Sequence, residues 1–336
     1  MPVMAAKTLR RTIGGVFLVG VMMVAWFALQ LFPLGGLGKQ VIVVVKPGDS
    51  LSTIAGRLHT SGVLSSPFAF RLDTLLLGSL VVQPGAYEIP QNDSFSGIRA
   101  LLSGGPNAVV VSVTPGVALW EINQLLVQDK GSAYASGFMR AAQSRAATSS
   151  YGALSSFEGL IGPDDYVIAP GESPAALLAA MHASFTSMAQ RVGFSPSSSI
   201  QGLSAYQMLI GASVVQKEGY YHVNMPKVAR VILNRLATHG SLQMDSTVLY
   251  ALHRDGGKVT SAMLQTVTPY NTYLNAGLPP TPICVVSPEA LSAMLHPPVG
   301  SWRYFVLVKN DGTMAFSTTF AEQLANERLA QSRGLL

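Results

Sequence analysis

The sequence predicts an α+β protein with one N-terminal transmembrane helix, a small membrane-proximal region of strand-turn-helix units and a larger mixed region behind it. Three observations carry that prediction. No charged residue occurs between Arg11 and Lys39, two segments repeat a strand-turn-helix pattern, and the second half alternates capped helical stripes with one short strand pair. A chain of 336 residues that is 49% hydrophobic and 12% charged suits one large or two modest domains, and is too apolar for an ordinary soluble protein.

Residues 12–34 are almost wholly apolar apart from glycine, Thr12 and Gln30. That length spans about 30 Å of hydrocarbon. Lys7, Arg10 and Arg11 precede the run and no acid lies nearby, which places residues 1–11 in the cytoplasm and everything after about residue 35 outside it. A cleaved signal peptide is the competing reading. Its apolar core is typically about 7–15 residues and ends in a small-residue cleavage site, which Phe32-Pro33-Leu34-Gly35-Gly36 does not offer. The expectation is an uncleaved, single-pass inner-membrane anchor with the rest of the chain in the periplasm.

Of 22 basic residues, three precede the span, leaving 19 against 17 acids. The exported part is nearly neutral and has no Lys/Arg-rich run after residue 40, so nucleic acid is not an expected partner. A single cysteine, Cys284, excludes an internal disulfide and a cysteine-based zinc site, and the six histidines show no paired spacing of the HExxH kind. Phosphate-cradling glycine motifs are absent as well. Neither a metal nor a cofactor is expected.

Val43-x-Val45-x-Pro47-Gly48 followed by Leu51, Ile54 and Leu58 is echoed by Val111-x-Val113-x-Pro115-Gly116 followed by Leu119, Ile122 and Leu126. Alternating valines read as a half-buried strand, Pro-Gly as a turn, and the spaced Leu/Ile as one helix face. A looser version has a strand at 86–89 and a helical stripe at Ile98, Leu101 and Leu102. Residues 131–156, rich in Ala, Ser and Gly, read as a loosely packed helix or mobile connector, a candidate lid or hinge. Helices follow at 174–191, capped by Ser173 with Pro174 in the first turn, and at 204–217, 226–239, 246–254, 261–266 and 288–295, the last capped by Ser287. A strand pair at 304–308 and 313–316 flanks the turn Lys309-Asn310-Asp311-Gly312, and a final helix runs over 319–331.

Most carboxylates fall in turns or on polar helix faces. Glu218 does not. The apolar stripe Met208, Ala212, Val215 continues to it at helical spacing, so its carboxylate points toward the side that Val215 buries. A carboxyl held in partly desolvated surroundings keeps its proton toward neutral pH, as a general acid requires. The plainer reading is a Glu fraying into solvent beside Gly219.

The surrounding text favours the first reading. Ala212-Ser-Val-Val-Gln-Lys-Glu218, Val228-Ala-Arg-Val-Ile-Leu-Asn234-Arg235-Leu236, Gln243-Met-Asp245-Ser-Thr247, Pro269-Tyr270-Asn271-Thr272-Tyr273 and Gly277-Leu278-Pro279-Pro280, with Phe157-Glu158-Gly159-Leu160 upstream, follow one another in an order that closely resembles the YceG-like endolytic murein transglycosylases, the MltG family. A LysM-like segment at 43–64 extends the resemblance over nearly the whole chain. Some positions depart from the family pattern: Gln216 replaces a common acid, Ser246 a usual proline, Pro115 an acidic residue and Gln323 a frequent histidine.

The resemblance implies an α+β fold with a single N-terminal transmembrane helix, a LysM-like βα subdomain and a larger α+β catalytic domain: tail 1–11, anchor 12–34, LysM-like region 40–115, YceG-like catalytic region 116–336. It implies cleavage of the β-1,4 bond between N-acetylmuramic acid and N-acetylglucosamine in nascent peptidoglycan strands, with formation of a 1,6-anhydro end and, as a consequence for the strand, termination of its elongation. Cell-wall polymerases of the penicillin-binding class, and the membrane, are the implied partners. Glu218 is then the catalytic acid. Gln243, Asp245, Tyr270, Asn271, Thr272, Tyr273 and Glu158 are the implied substrate-binding set, Asn271 and Tyr273 as donors to the N-acetyl group and Tyr270 as a stacking platform. Their structural alternatives stay open: a turn after Pro269, an N-cap at Asp245, and for Glu158 either orientation of Glu218 or a loop salt bridge. Two other functions stay open as well, a hydrolytic two-carboxylate muramidase and a non-catalytic glycan-binding scaffold.

Overall fold

The structure, a computed structural model, describes residues 2–219 and 221–336, with side chains from Phe17 onward in that range. The chain divides into two compact units. One takes the chain up to Val110 together with Val167–Gly171; the other takes Val111–Tyr166 and Glu172–Leu336.

The first unit opens with α1 (Pro2–Leu31). The helix stops short of Pro33, whose ring disfavours helical backbone in the residue before it. Among the described residues no helix is long and apolar enough to cross a membrane; the expected span begins at residues 12–16, whose side chains lie outside the described ones. Beyond it come β1 (Gln40–Val45), α2 (Leu51–Thr60), α3 (Pro67–Leu77), β2 (Gly85–Pro90) and α4 (Phe95–Ser103). β1 and β2 pair antiparallel, with Val43 opposite Tyr87 and Val45 opposite Gly85. Val43 and Val45 face the core while Val44 is exposed, as the pleat dictates. Ile54 and Leu58 of α2, Phe70 of α3 and Ile98 and Leu102 of α4 complete that core, with Phe27 and Leu31 of α1 packed against it. α3 escaped the sequence reading although Ser66-Pro67 carries the start signal used at Ser173-Pro174; the Ser66 hydroxyl accepts from the Ala69 N–H.

The second unit contains α5 (Leu119–Lys130), α6 (Ser132–Ala147), α7 (Pro174–Arg191), α8 (Ala205–Glu218), α9 (Met225–Leu236), α10 (Asp245–Ala251), α11 (Ser261–Leu264), α12 (Pro288–Leu295), the antiparallel pair β5 (Tyr304–Leu307) and β6 (Met314–Ser317), and α13 (Phe320–Ser332). β3 (Val109–Val113) and β4 (Asp164–Ile168) form another two-stranded sheet. β4 was not expected, because its Asp-Asp start breaks the apolar alternation.

Of the two readings of residues 131–156, a loosely packed helix or a mobile connector, the structure has the helix: α6 packs between α5 and α7, and only the looseness is corrected. Ala135, Phe138, Ala142 and Ala146 form its buried stripe. A Cβ at Gly137 would lie 2.9 Å from the Pro174 ring, so the small residues that read as loose packing are those that permit close approach.

α8 is buried on almost every side from Met208 to Val215 and packs against α9, α10 and α12. A Cβ at Gly211 would sit 2.7 Å from the Met294 methyl of α12. Gln216 donates no charge here: its Oε1 accepts the Ser287 N–H at the start of α12 at 2.9 Å. Gln323 likewise has a structural role, accepting from the Ser317 hydroxyl at 2.9 Å and donating to the Phe305 carbonyl at 3.3 Å.

Candidate active site

Glu218 is the last residue of α8. Gly219 closes the helix, its N–H donating to the Val215 carbonyl at 2.7 Å. A Cβ there would stand 2.7 Å from Met225 Cγ and 2.8 Å from that same carbonyl, so only glycine lets the chain turn at once toward α9. The residue keeps some exposed surface while its carboxyl is shielded. Oε1 accepts from the Ser246 hydroxyl at 2.6 Å and from the Ser246 N–H at 3.2 Å. Burial pushes the carboxyl pKa up. The two Ser246 donors oppose that, the Asp245 charge reinforces it and the Arg235 guanidinium opposes it.

Arg235 reaches this site from α9. Its Nε donates to the Arg303 carbonyl at 2.7 Å, a terminal nitrogen donates to the Leu242 carbonyl, and the guanidinium lies 5.5 Å from the Tyr304 ring centre. Burial lowers its pKa, and Tyr304 and Glu218 oppose that shift. Lys217, next to Glu218, is committed elsewhere: it pairs with Asp255 at 2.8 Å and donates to the Gly116 carbonyl at 3.1 Å.

Asp245 is exposed and is the first residue of α10, not its N-cap; Met244 holds the cap position without a side-chain bond. The expected capping role is therefore corrected. The Asp245 carboxylate instead accepts from the Tyr273 hydroxyl at 2.5 Å. Burial and then Asp245 itself push the Tyr273 phenol up, which keeps it a donor.

The loop carrying Tyr270 to Tyr273 is stitched to residues 243–247. Thr272 Oγ1 accepts from the Met244 N–H at 3.1 Å and shares a 2.9 Å hydrogen bond with Thr247, and the Thr272 carbonyl accepts from the Gln243 N–H at 3.0 Å. Thr272 is thus buried structure. Gln243 is exposed, with a left-handed φ of 51°. Asn271 is fully buried. Both its amide hydrogens go to the Leu264 and Thr266 carbonyls, at 2.9 and 2.8 Å, and its carbonyl accepts from the Tyr273 N–H at 3.0 Å. No amide hydrogen is left for a sugar, so Asn271 holds a turn. Tyr270 shares a hydrogen bond with Thr281 at 2.8 Å, and its ring lies 5.0 Å from that of Tyr250.

Glu158 is only 1% exposed and belongs to a different cluster. Both its oxygens accept from the Leu119 N–H at 3.0 Å, and Oε2 also accepts from the Tyr250 hydroxyl at 3.0 Å. It closes the start of α5 instead of orienting Glu218 or making a loop salt bridge. Burial pushes its pKa up to about 7, against the Leu119 and Tyr250 donors. Gly159 is required beside it, because a Cβ would lie 2.5 Å from that of Pro282.

A cavity of about 700 Å³ is lined by Tyr206, Gln207, Leu233, His239 and the Gly277-Leu278-Pro279-Pro280 segment, and Glu218 does not line it. Sequence reasoning noted Ser246 only as a departure from a pattern and Arg235 only as part of a motif. A hydroxyl one residue after Asp245 was the available signal.

The YceG-like family matches residues 43–329. The chain is 26% identical over 340 residues to the endolytic murein transglycosylase of Bacillus subtilis, covering 96% of this chain and 92% of that one. It is 24% identical to the endolytic murein transglycosylase of Streptococcus pneumoniae strain D39, covering 86% of this chain but 58% of that longer one. A crystal structure of a YceG-like protein from Listeria monocytogenes shares the fold, with a TM-score of 0.59, 24% identity and coverage of 85% of this chain and 98% of its own. The match over most of its length places the chain in the YceG-like family.

Proposed function

We propose that the chain is an endolytic lytic transglycosylase of peptidoglycan, with Glu218 as its one acid and base. The observation that carries the reading is a shielded carboxyl at the end of a buried helix, kept prone to protonation by burial and held through one oxygen by Ser246. The names of the relatives from Bacillus subtilis and Streptococcus pneumoniae agree with it.

The chemistry needs no water. Protonated Glu218 gives its proton to the glycosidic oxygen as the bond from C1 of N-acetylmuramic acid breaks. The resulting carboxylate then takes the proton of the C6 hydroxyl, whose oxygen bonds to C1 and closes the 1,6-anhydro ring. Because the nucleophile belongs to the substrate, attack is intramolecular and has a large effective concentration. Arg235 favours the carboxylate stage and Asp245 the protonated stage, so the two bracket the cycle. Tyr273, Tyr270 and the exposed Gln243 and Asp245 are the remaining candidates to meet the sugar; Thr272 and Asn271 hold their loop.

A second reading, a two-carboxylate muramidase, is favoured by the closeness of the Asp245 charge to Glu218. Incubation of the purified protein with murein sacculi and mass spectrometry of the products decides between them. Anhydro-ended muropeptides support the transglycosylase, reducing ends the muramidase, and no release a glycan-binding scaffold.

We further propose that residues 12–34 anchor the chain in the inner membrane with the catalytic region in the periplasm, close to new strands and the polymerases that make them. The uncharged run, the preceding basic residues and the exposed apolar side chains of Phe17 to Val24 support this. The LysM-like segment would add weak glycan contact.

A further inference from the structure

Ser246 approaches Glu218 in an unusual way for a neighbour contributed from 28 residues away. Its hydroxyl and its own N–H both donate to the same oxygen, Oε1, at 2.6 and 3.2 Å. Ser246 is 6% exposed, so water competes little for these donors. A neutral carboxylic acid has one oxygen that carries the proton and one that only accepts. An oxygen already receiving two hydrogen bonds is the unfavourable place for that proton.

We propose that Ser246 is a positioning residue that makes Oε1 the accepting oxygen of Glu218 and so assigns the transferable proton to Oε2. The proposal rests on Glu218 being the acid. A proline at this position would have neither the N–H nor the hydroxyl and could not hold Oε1 in this way. The Ser246 arrangement serves both halves of the cycle: in the acid form Oε2 alone presents the proton to the leaving oxygen, and after transfer the charge on Oε1 keeps two donors while Oε2 is free to accept from the C6 hydroxyl.

Among the described residues, the other charged and titratable groups facing Glu218 are Asp245 on α10, Arg235 on α9 and Tyr273 on the loop after α11. α12, the remaining neighbour of α8, meets it through Met294 and through Ser287 at Gln216. All of these are unchanged in a Ser246 variant, so a difference between variants isolates the two donors.

The test compares Ser246→Ala, which loses the hydroxyl, Ser246→Pro, which loses both donors, and Ser246→Thr, which keeps both, using the full chain in detergent on soluble uncrosslinked glycan. Donors to the carboxylate favour its charged form, so their removal keeps Glu218 protonated to higher pH. The alkaline limb of the cleavage-pH profile should move up by about 1 pH unit in Ser246→Ala and further in Ser246→Pro. In Ser246→Thr it should stay in place. A merely structural role would lower activity equally at all pH values and leave the limb unmoved. An unmoved limb in folded Ser246→Ala and Ser246→Pro, or a Thr variant that behaves as Ala does, overturns the proposal. The same titration read directly by NMR on ¹³C-labelled glutamate, with the Glu218 signal assigned by its loss in Glu218→Gln, does not depend on turnover. If the wild type releases no product, the catalytic reading of Glu218 fails, and the NMR shift between Ser246 and Ala still decides whether Ser246 holds the carboxyl.

Discussion

Glu158 makes the pH dependence of stability a quantitative test of the structure. Its carboxyl rises from an ordinary value of 4.5 to about 7 because burial penalises the charge more than Leu119 and Tyr250 compensate it. A raised carboxyl in the folded state binds its proton more tightly than in the unfolded chain. The associated stability is fully present below pH 4.5, falls as pH rises through the interval and is gone above about 7. With about 1.4 kcal/mol per pH unit, the shift corresponds to about 3 kcal/mol lost between pH 4.5 and 7.5. Glu158→Gln removes the titration and keeps an acceptor for the Leu119 N–H and an amide facing Tyr250. Urea unfolding of wild type and variant at pH 5 and pH 8 should therefore show the Gln variant gaining about 3 kcal/mol relative to wild type on going to the higher pH. Hydrogen exchange at the Leu119 amide should follow the same course. Parallel pH dependences of the two proteins would mean that Glu158 ionises as freely as an exposed carboxylate, and the buried cluster around α5 would be wrong.

Other expectations are simpler to check. Glu218→Gln should leave the melting temperature nearly unchanged and abolish release of anhydro muropeptides, because the amide keeps the shape and an acceptor for Ser246 but has no acidic proton; more than a few per cent of residual activity with unchanged products would remove Glu218 from the acid role. Asp245→Asn should be milder, since Tyr273 still finds an acceptor, and a loss as complete as that of Glu218→Gln would favour the two-carboxylate muramidase. Asn271→Ala should cost about 2–3 kcal/mol in thermal or urea unfolding, because the Leu264 and Thr266 carbonyls lose their partners in a buried place; a wild-type stability would contradict the turn-holding role. Cys284 is fully buried and burial pushes its thiol pKa up. A membrane-impermeant maleimide should label it only after denaturation, and then in cells permeabilised at the outer layer alone; protection until the inner membrane is opened would reverse the proposed orientation.

Helix limits were legible in the sequence wherever a local signal exists. Ser173-Pro174 and Ser287-Pro288 mark the starts of α7 and α12 as the sequence reading places them, and Leu51, Ile54 and Leu58 mark the core face of α2. These depend on caps and periodicity within one or two turns, which a linear text contains. The placement of Glu218 at the end of an apolar stripe was legible for the same reason. The close packing of α6 was not, since an Ala/Ser/Gly composition is compatible with a loose segment and with a close helix contact, and only the neighbouring Pro174 decides between them.

What the sequence by itself determined, then, is where the elements with clear caps or apolar periodicity form, though not α3 or β4, and that one carboxyl lies where a helix face is buried. What only the tertiary structure decided is what each polar group does. Ser246 meets Glu218 across 28 residues, Leu119 meets Glu158 across 39 and Tyr250 meets it across 92. Asn271, open between sugar donor and turn residue, is a turn brace, and Glu158, implied as a substrate-binding residue with a loop salt bridge as its alternative, is a buried acid. A hydrogen bond needs its partner within about 3 Å and in line. Residue type and spacing state what a side chain can donate or accept, and the folded backbone alone brings the partner there.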